Sequence, residues 1–252
     1  RVSCRPGAPG SGIRFRRTDL ASRPEIPALV SEVEATERRT AIGHGETTIH
    51  TVEHLLAAVL VLDLDDLVIE LDGPEPPILD GSFAPYLTLL EGAGSTAHDG
   101  DPVRYRITTP FTVTEGDSAY VIAPYDGLKL TTTIEWNHPL IGRQTGSWDI
   151  SLENFRKDLA GARTFGFTAE VEALRSRGLL KGASADSAVV LTDREVVGNP
   201  LRWPDEFVRH KAGDILGDLA LVGGRVQAHV IAHRPSHQGN VAVARAITRG
   251  AE

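Results

Sequence analysis

Methionine is absent from this sequence of 252 residues, cysteine occurs once, and no long apolar run is present. A membrane-spanning helix needs about 20 consecutive apolar residues, so we expect no transmembrane segment. The first residues, beginning Arg1-Val2-Ser3, lack the apolar stretch of a signal peptide. Because the chain starts with arginine and contains no methionine, we expect that some N-terminal sequence is missing.

The single cysteine, Cys4, excludes an internal disulfide. Scarce cysteine is typical of a reducing compartment, so we expect a cytoplasmic protein. For the same reason, any bound metal would be held by histidines and carboxylates, and the chain has nine histidines.

An excess of basic residues is also absent, since 26 Lys and Arg face 34 Asp and Glu, a net charge of -8. Affinity for nucleic acid rests on neutralising phosphates with Lys and Arg, so this charge excludes a general nucleic-acid binder. The same net charge is compatible with the binding of a phosphorylated small molecule. The apolar content of 41% is enough for packed cores.

The segment from Gly92 to Pro102 contains almost no large apolar residue and predicts a domain boundary. We therefore expect an N-terminal domain at residues 1–97 and a C-terminal domain at residues 98–252. Each half offers strands and about two helices. This pattern predicts an α+β protein built from two similar two-layer sandwich domains.

Hydrophobic periodicity predicts the principal elements of both halves. Apolar residues at helical spacing predict a helix over His50–Leu62, and a second helix is expected over Asp205–Leu221. Strict alternation predicts a half-buried strand over Leu128–Glu135. Asn240 is placed to cap a last helix that runs through Ile247.

The first candidate cluster is His50-Thr51-Val52-Glu53-His54, which matches the H-x-x-E-H metalloprotease pattern. On a helix, two histidines one turn apart hold a metal beside a glutamate base. The alternative is a solvated helix face that bears these residues without a metal.

The second cluster consists of His210, Asp214 and Asp218, which follow at i, i+4 and i+8. Such residues drift by only about 40° per step and form one polar stripe on a helix. The alternative is an ion-paired surface stripe.

Together the clusters supply three ligands, namely one histidine of the first cluster with His210 and Asp214. That set leaves a fourth tetrahedral position open, as catalytic zinc requires. Glu53 would lie beside the metal. Asp218 is placed to orient a further histidine, and His237 is expected on a loop before a helix, where functional groups are often displayed.

Four sequence strings resemble the UDP-3-O-acyl-N-acetylglucosamine deacetylases, which act in lipid A biosynthesis. They are TVEHLLAAV (51–59), ILDGSFAPY (78–86), ARTFGF (162–167) and LRWPDEFVRHKAGDILGDL (201–219). They occur in the family's order over most of the chain. The resemblance implies two α/β sandwiches with the active site in the cleft between them.

The resemblance also implies residue roles. Zn²⁺ would be bound by His54, His210 and Asp214, and His50 would lie outside the ligand set. Glu53 would be the general base, and Lys211 and His237 would support the reaction. Further roles fall to three more residues: Asp218 orients His237, Thr164 polarises the scissile carbonyl, and Phe165 borders the sugar.

The implied reaction removes the N-acetyl group of an acylated UDP-amino sugar and releases acetate. Either His237 or Glu53 protonates the leaving amine. The segment from Thr168 to Val197 resembles an insert that forms a passage for the acyl chain. We expect a small-molecule substrate and a monomer.

Four departures from the family pattern stand out. An N-terminal strand and its Gly-Leu-His motif are absent. Gly213 stands where the family usually has leucine, which in a helix interior costs about 1 kcal/mol relative to alanine. Ser236 replaces a glycine, and Arg234 replaces a lysine expected to meet the uridine diphosphate, with the charge kept.

Two alternative functions follow from the same residues. One is an H-x-x-E-H protease that uses His50 with His54. The other is an inactive binding module that kept the fold.

Overall fold

The computed structural model describes residues 1–97, 99–168 and 187–250. It contains helices together with several mixed sheets, which confirms the predicted α+β class. Within these residues, no helix combines the length and the apolar character that crossing a bilayer requires.

The strands of the first half form one larger sheet and one two-stranded pair. In chain order they are β1 Val2–Pro6, β2 Ile13–Arg17, β3 Glu25–Pro27, β4 Val33–Ala35, β5 Ala41–Ile42 and β6 Leu67–Leu71. The larger sheet has the order β1-β6-β2-β3, with β2 and β6 parallel and the two outer pairings antiparallel. The antiparallel pair β4 and β5 stands apart and carries a loop that reaches the site described below.

The second half contains a six-stranded sheet and a small three-stranded sheet. Its strands are β7 Arg104–Arg106, β8 Phe111–Glu115, β9 Ser118–Ala123, β10 Leu128–Glu135, β11 Arg143–Asp149, β12 Phe165–Phe167, β13 Val189–Leu191, β14 Val196–Val197 and β15 Arg225–His233. The large sheet has the order β11-β10-β15-β9-β8, and β7 pairs with the start of β15. Strand β10 has the predicted bounds, with Leu130, Thr132 and Ile134 on its buried face.

The α-helices in the described part of the chain are α1 Glu53–Val61, α2 Ala84–Ala93, α3 Leu152–Asn154, α4 Glu206–Leu219 and α5 His237–Arg249. Short helical turns follow α3 at Phe155–Leu159 and α4 at Ala220–Val222. One hydrophobic cluster runs from the first sheet (Phe15, Ile69) through α1 and α4 (Leu56, Leu216) to the second sheet (Leu130). The predicted division after residue 97 stays a prediction.

Two helix starts differ from the prediction. Helix α1 begins at Glu53, not His50, because Thr51 has a positive φ of 55° that interrupts helical geometry. Asn240 is not a cap: Ser236 caps α5, and its hydroxyl accepts a hydrogen bond from Gly239 N. The expected loop residue His237 is therefore the first residue of that helix. Of the expected insert from Thr168 to Val197, residues 169–186 lie outside the described residues.

Candidate active site

A pocket is lined by side chains from both halves of the chain. The lining residues are Arg38, Glu53, His54, Trp136, Thr164, Phe165, Phe167, His210, Lys211, Asp214 and His237. Eight of them were predicted as site residues from the sequence. The pocket thus unites the two sequence clusters, which lie more than 150 positions apart along the chain.

The close approach of α1 and α4 brings the two clusters together. Gly217 makes this approach possible, since a Cβ atom there would overlap the carbonyl oxygen of Glu53. Glu53 and His54 begin α1 and are buried against α4. The imidazole rings of His54 and His210 consequently lie 5.0 Å apart between centroids.

Three side chains form a candidate metal site, namely His54, His210 and Asp214. Each offers one ligand atom, and these atoms lie within 4.8 Å of one another. Oδ1 of Asp214 is 3.3 Å from Nε2 of His210 and 3.8 Å from Nε2 of His54. This oxygen is buried and has no hydrogen-bond partner among the described residues. A cation bound among the three residues would satisfy it, so the residues fit a metal ion.

The protonation states of these residues also suit metal binding. Burial, together with the neighbouring His210, lowers the pKa of His54 to about 3. Burial lowers the pKa of His210 as well. Burial opposes ionisation of Asp214, but electrostatic interactions with His210 and with the ammonium group of Lys211 hold its pKa well below the usual range. Two neutral imidazoles and a carboxylate are the forms that bind a metal.

Lys211 lies beside the same carboxylate. Its Nζ is 2.7 Å from Oδ2 of Asp214, the oxygen that does not face the two histidines. Burial lowers the pKa of this ammonium group, but the adjacent Asp214 outweighs burial and raises it. Lys211 is therefore a fixed positive charge at the pocket wall.

Glu53 and His237 form a second buried pair in the pocket, with Oε1 and Nε2 4.0 Å apart. Burial raises the pKa of Glu53 to about 7, although the charge of His237 acts in the opposite direction. Oε2 of Glu53 accepts a hydrogen bond of 3.2 Å from the backbone N–H of Thr40. A carboxyl group with this pKa is suited to accept and return a proton near neutral pH.

His237 is held from behind by Asp218, whose Oδ2 is 2.9 Å from Nδ1. Burial lowers the pKa of His237, but the carboxylate of Asp218 outweighs burial and raises it to about 9. Asp218 itself accepts further hydrogen bonds from the Thr40 hydroxyl and from the Asn240 side chain. The imidazole is thus fixed in its cationic form with Nε2 towards Glu53.

Two predicted site residues and one alternative ligand do not line the pocket. Asp218 lies behind His237, as described. Arg234 has a side chain 44% exposed and bonds Asp117 at 3.1 Å. His50 precedes α1, and within the described part of the chain its buried Nδ1 has no hydrogen-bond partner.

Four contributors were missed by the sequence analysis. Arg38 and Thr40 lie on the loop between β4 and β5, Trp136 follows β10, and Phe167 ends β12. Trp136 meets the ring of Phe165 edge to face at 5.4 Å. Phe167 ends the string ARTFGF, but no role was expected for it. No helical or strand periodicity relates the other three residues to the two clusters, so the sequence carried no signal for them.

The pocket of this α+β chain contains two neutral imidazoles and a carboxylate, one oxygen of which has no hydrogen-bond partner among the described residues. A buried carboxyl group and an imidazolium lie beside them. These groups together are typical of a metal-dependent hydrolase. Comparison with known proteins gives the family. The sequence model of the UDP-3-O-acyl N-acetylglycosamine deacetylase family, LpxC, matches residues 1–249. The chain belongs to this family.

Individual relatives agree. The UDP-3-O-acyl-N-acetylglucosamine deacetylase of Bdellovibrio bacteriovorus is 45% identical over 239 residues, which cover 94% of this chain and 78% of that protein. The protein of the same name from Myxococcus xanthus is 39% identical over 241 residues, covering 95% and 76%. That from Brucella ovis is 40% identical over 244 residues, covering 96% and 85%.

Proposed function

We propose that this chain hydrolyses the N-acetyl group of UDP-3-O-acyl-N-acetylglucosamine in lipid A biosynthesis, with acetate and UDP-3-O-acyl-glucosamine as products. One observation supports this most directly. Oδ1 of Asp214 faces the two histidines of the possible metal site without a hydrogen-bond partner among the described residues, and a buried carboxyl group and an imidazolium face the same pocket. Family membership supplies the substrate class.

The metal we propose is Zn²⁺, held by His54, His210 and Asp214. Zinc in hydrolytic sites commonly takes three protein ligands of this kind, with one position open. When bound, the ion acts as a Lewis acid that polarises a carbonyl group and promotes ionisation of water. Asp214 would help to hold the ion, and Lys211 donates a hydrogen bond to its Oδ2.

Glu53 is the proposed general base. Its carboxylate accepts a proton from the water that attacks the acetamide carbonyl carbon, and the hydrogen bond from Thr40 N–H fixes one of its oxygens. The carbon–oxygen bond forms as the carbonyl oxygen gains negative charge. A positioned base of this kind contributes a factor of roughly 10² to 10⁴.

Positive charge and hydrogen-bond donors stabilise the developing oxyanion. His237 donates from Nε2, Lys211 adds its charge, and the hydroxyl of Thr164 donates to the same oxygen. The carbon–nitrogen bond then breaks, and the amine takes a proton from His237 or from the protonated Glu53. Acetate and the free amine leave.

Around this centre we propose that Phe165 borders the sugar and that Arg234 meets the diphosphate once its contact with Asp117 is exchanged for phosphate. Residues 168–197 would form the acyl passage, although residues 169–186 lie outside the described part of the chain. We further propose a monomer in the cytoplasm, with residues 1–97 and 98–252 as its two domains.

A metal analysis coupled to an acetate-release assay tests the proposal. We expect one zinc per chain and acetate release that a chelator abolishes and added Zn²⁺ restores. Zinc binding without acetate release would favour the inactive binding module. Cleavage of a peptide instead of the acetamide would favour the protease.

A further inference from the structure

Every peptide group from Ala160 to Thr164 is held by a partner outside this segment, which we call the 160–164 segment. Phe83 N and Ala84 N donate hydrogen bonds to Ala160 O. Arg202 Nη1 donates to Gly161 O, and His210 Nδ1 donates to Ala162 O. Arg163 N donates to Glu206 Oε1, and Thr164 N donates to Gly81 O. These bonds are 2.7 to 3.0 Å long. The segment therefore has little freedom to shift along the pocket wall.

Glu206 contributes most to this arrangement. Its Oε1 accepts from Arg163 N at 3.0 Å and from Arg163 Nε at 2.8 Å. Its Oε2 accepts from Arg163 Nη2 at 3.1 Å and from Arg202 N at 2.6 Å. The carboxylate is 0% exposed and the Arg163 side chain 3% exposed. Burial disfavours the carboxylate, but these donors hold the pKa of Glu206 below its ordinary value.

The position of Glu206 links this ion pair to the metal site. Glu206 begins α4, one turn before His210 on the same helix. Nδ1 of His210 is 3.0 Å from Ala162 O, one residue before Arg163. A carbonyl oxygen only accepts, so Nδ1 carries the hydrogen and Nε2 keeps its lone pair towards Asp214. Glu206 and Ala162 O thus hold helix and segment together at two points one turn apart.

The same network reaches the loop before α2. Arg202 donates from Nη2 to Oδ2 of Asp80 at 2.9 Å, and Oδ1 of Asp80 accepts from the backbone and hydroxyl of Ser82. Between Asp80 and Ser82, the carbonyl of Gly81 accepts from Thr164 N at 2.8 Å. Residues 81–84 thus bond both ends of the 160–164 segment, and this loop is held through Asp80 by Arg202, whose backbone N–H donates to Glu206.

We propose that Glu206 is a positioning residue of the active site, which acts through Arg163 and Ala162 O to orient the imidazole of His210 and to place Thr164. The inference rests on the proposed function, since it assigns His210 to the metal and Thr164 to the carbonyl oxygen. Stability alone is a weak reason for such a pair, because a buried ion pair is often no more stabilising than well-packed apolar residues. Its value here is the fixed geometry that a fully bonded carboxylate imposes.

Glu206→Gln tests the proposal, because the amide keeps the shape but turns an N–H group towards donors on Arg163 or Arg202. The expected results are zinc binding weaker by about 10-fold to 100-fold in chelator competition, and a fall in kcat at saturating zinc that exceeds any change in KM. Nitrogen-15 NMR of the metal-free protein should show His210 changing from the Nδ1–H form to a tautomer mixture.

Ile69→Ala is the matched control, since Ile69 is buried in the first sheet outside the pocket. It should lower Tm without changing zinc affinity, kcat or the His210 tautomer. If Glu206→Gln behaves like this control, the role is only structural and the proposal is wrong. If Glu206→Gln does not fold, Arg163→Lys gives the same readouts with the charge pair kept and the paired donors lost. Unchanged zinc affinity and tautomer in that variant would also overturn the proposal.

The unmutated chain separates this inference from the proposed function. Absence of acetate release by the unmutated chain would overturn the function. The comparisons of zinc affinity and of the His210 tautomer would still test the positioning role of Glu206, because neither measurement depends on turnover.

Discussion

Nδ1 of His237 lies 2.9 Å from Oδ2 of Asp218, and this carboxylate also accepts hydrogen bonds from Thr40 and Asn240. The three donors come from the loop after β4 and from α5, while Asp218 lies on α4. One fully buried carboxylate therefore joins three elements and keeps the imidazole of His237 cationic.

Asp218→Asn should lower turnover and shift its pH dependence. The carboxylate raises the pKa of His237 to about 9, so its removal lowers that pKa. His237 would then lose its proton at lower pH, and the alkaline limb of the kcat/KM profile should move to lower pH. Near pH 8 we expect a loss of about 10²-fold. An alkaline limb unchanged in this variant, with the fold intact by circular dichroism, would contradict the role of Asp218.

Replacement of the proposed ligands should separate them from His50. His54→Ala, His210→Ala and Asp214→Ala should each retain less than about a tenth of the zinc, because each removes one of three protein ligands. His50→Ala is the control and should bind zinc normally, since His50 does not line the pocket. Metal content after dialysis measures the difference. Loss of zinc in His50→Ala would overturn the ligand assignment.

Glu53→Ala should separate metal content from rate. Zinc should be retained, because Glu53 is not among the three candidate ligands. Acetate release should fall by roughly 10² to 10⁴, the usual contribution of a general base. Glu53→Gln keeps the side-chain shape and should lose as much. Full activity in either variant would exclude Glu53 as the base.

Gly213→Ala should destabilise the protein although alanine favours a helix. A Cβ atom at position 213 would overlap the ring of Phe83, and overpacking costs about 1 to 3 kcal/mol. This outweighs the gain of about 1 kcal/mol that alanine brings in an unhindered helix. Urea unfolding measures the change. The penalty should shrink when Gly213→Ala is combined with Phe83→Leu, and an equal penalty in both backgrounds would rule out the contact as its cause.

Helical spacing was sufficient to predict one side of the site. His210, Asp214 and Asp218 recur every four residues on α4, so their common face follows from local geometry alone. The same reasoning went wrong at His50, because Thr51 adopts a positive φ that no apolar pattern reveals. It also went wrong at Asn240, whose side chain bonds Asp218 and Tyr120 while Ser236 supplies the cap.

The α+β class, the family and the residue types that suit a metal-dependent hydrolase could all be predicted from the sequence, since periodicity and motifs are local properties of the chain. Which residues meet depends on the tertiary structure. The contact of Gly217 with Glu53 sets the distance between the two clusters, and the loop after β4 brings Arg38 and Thr40 to the pocket. These contacts join positions far apart in the chain, and packing of the whole core determines them.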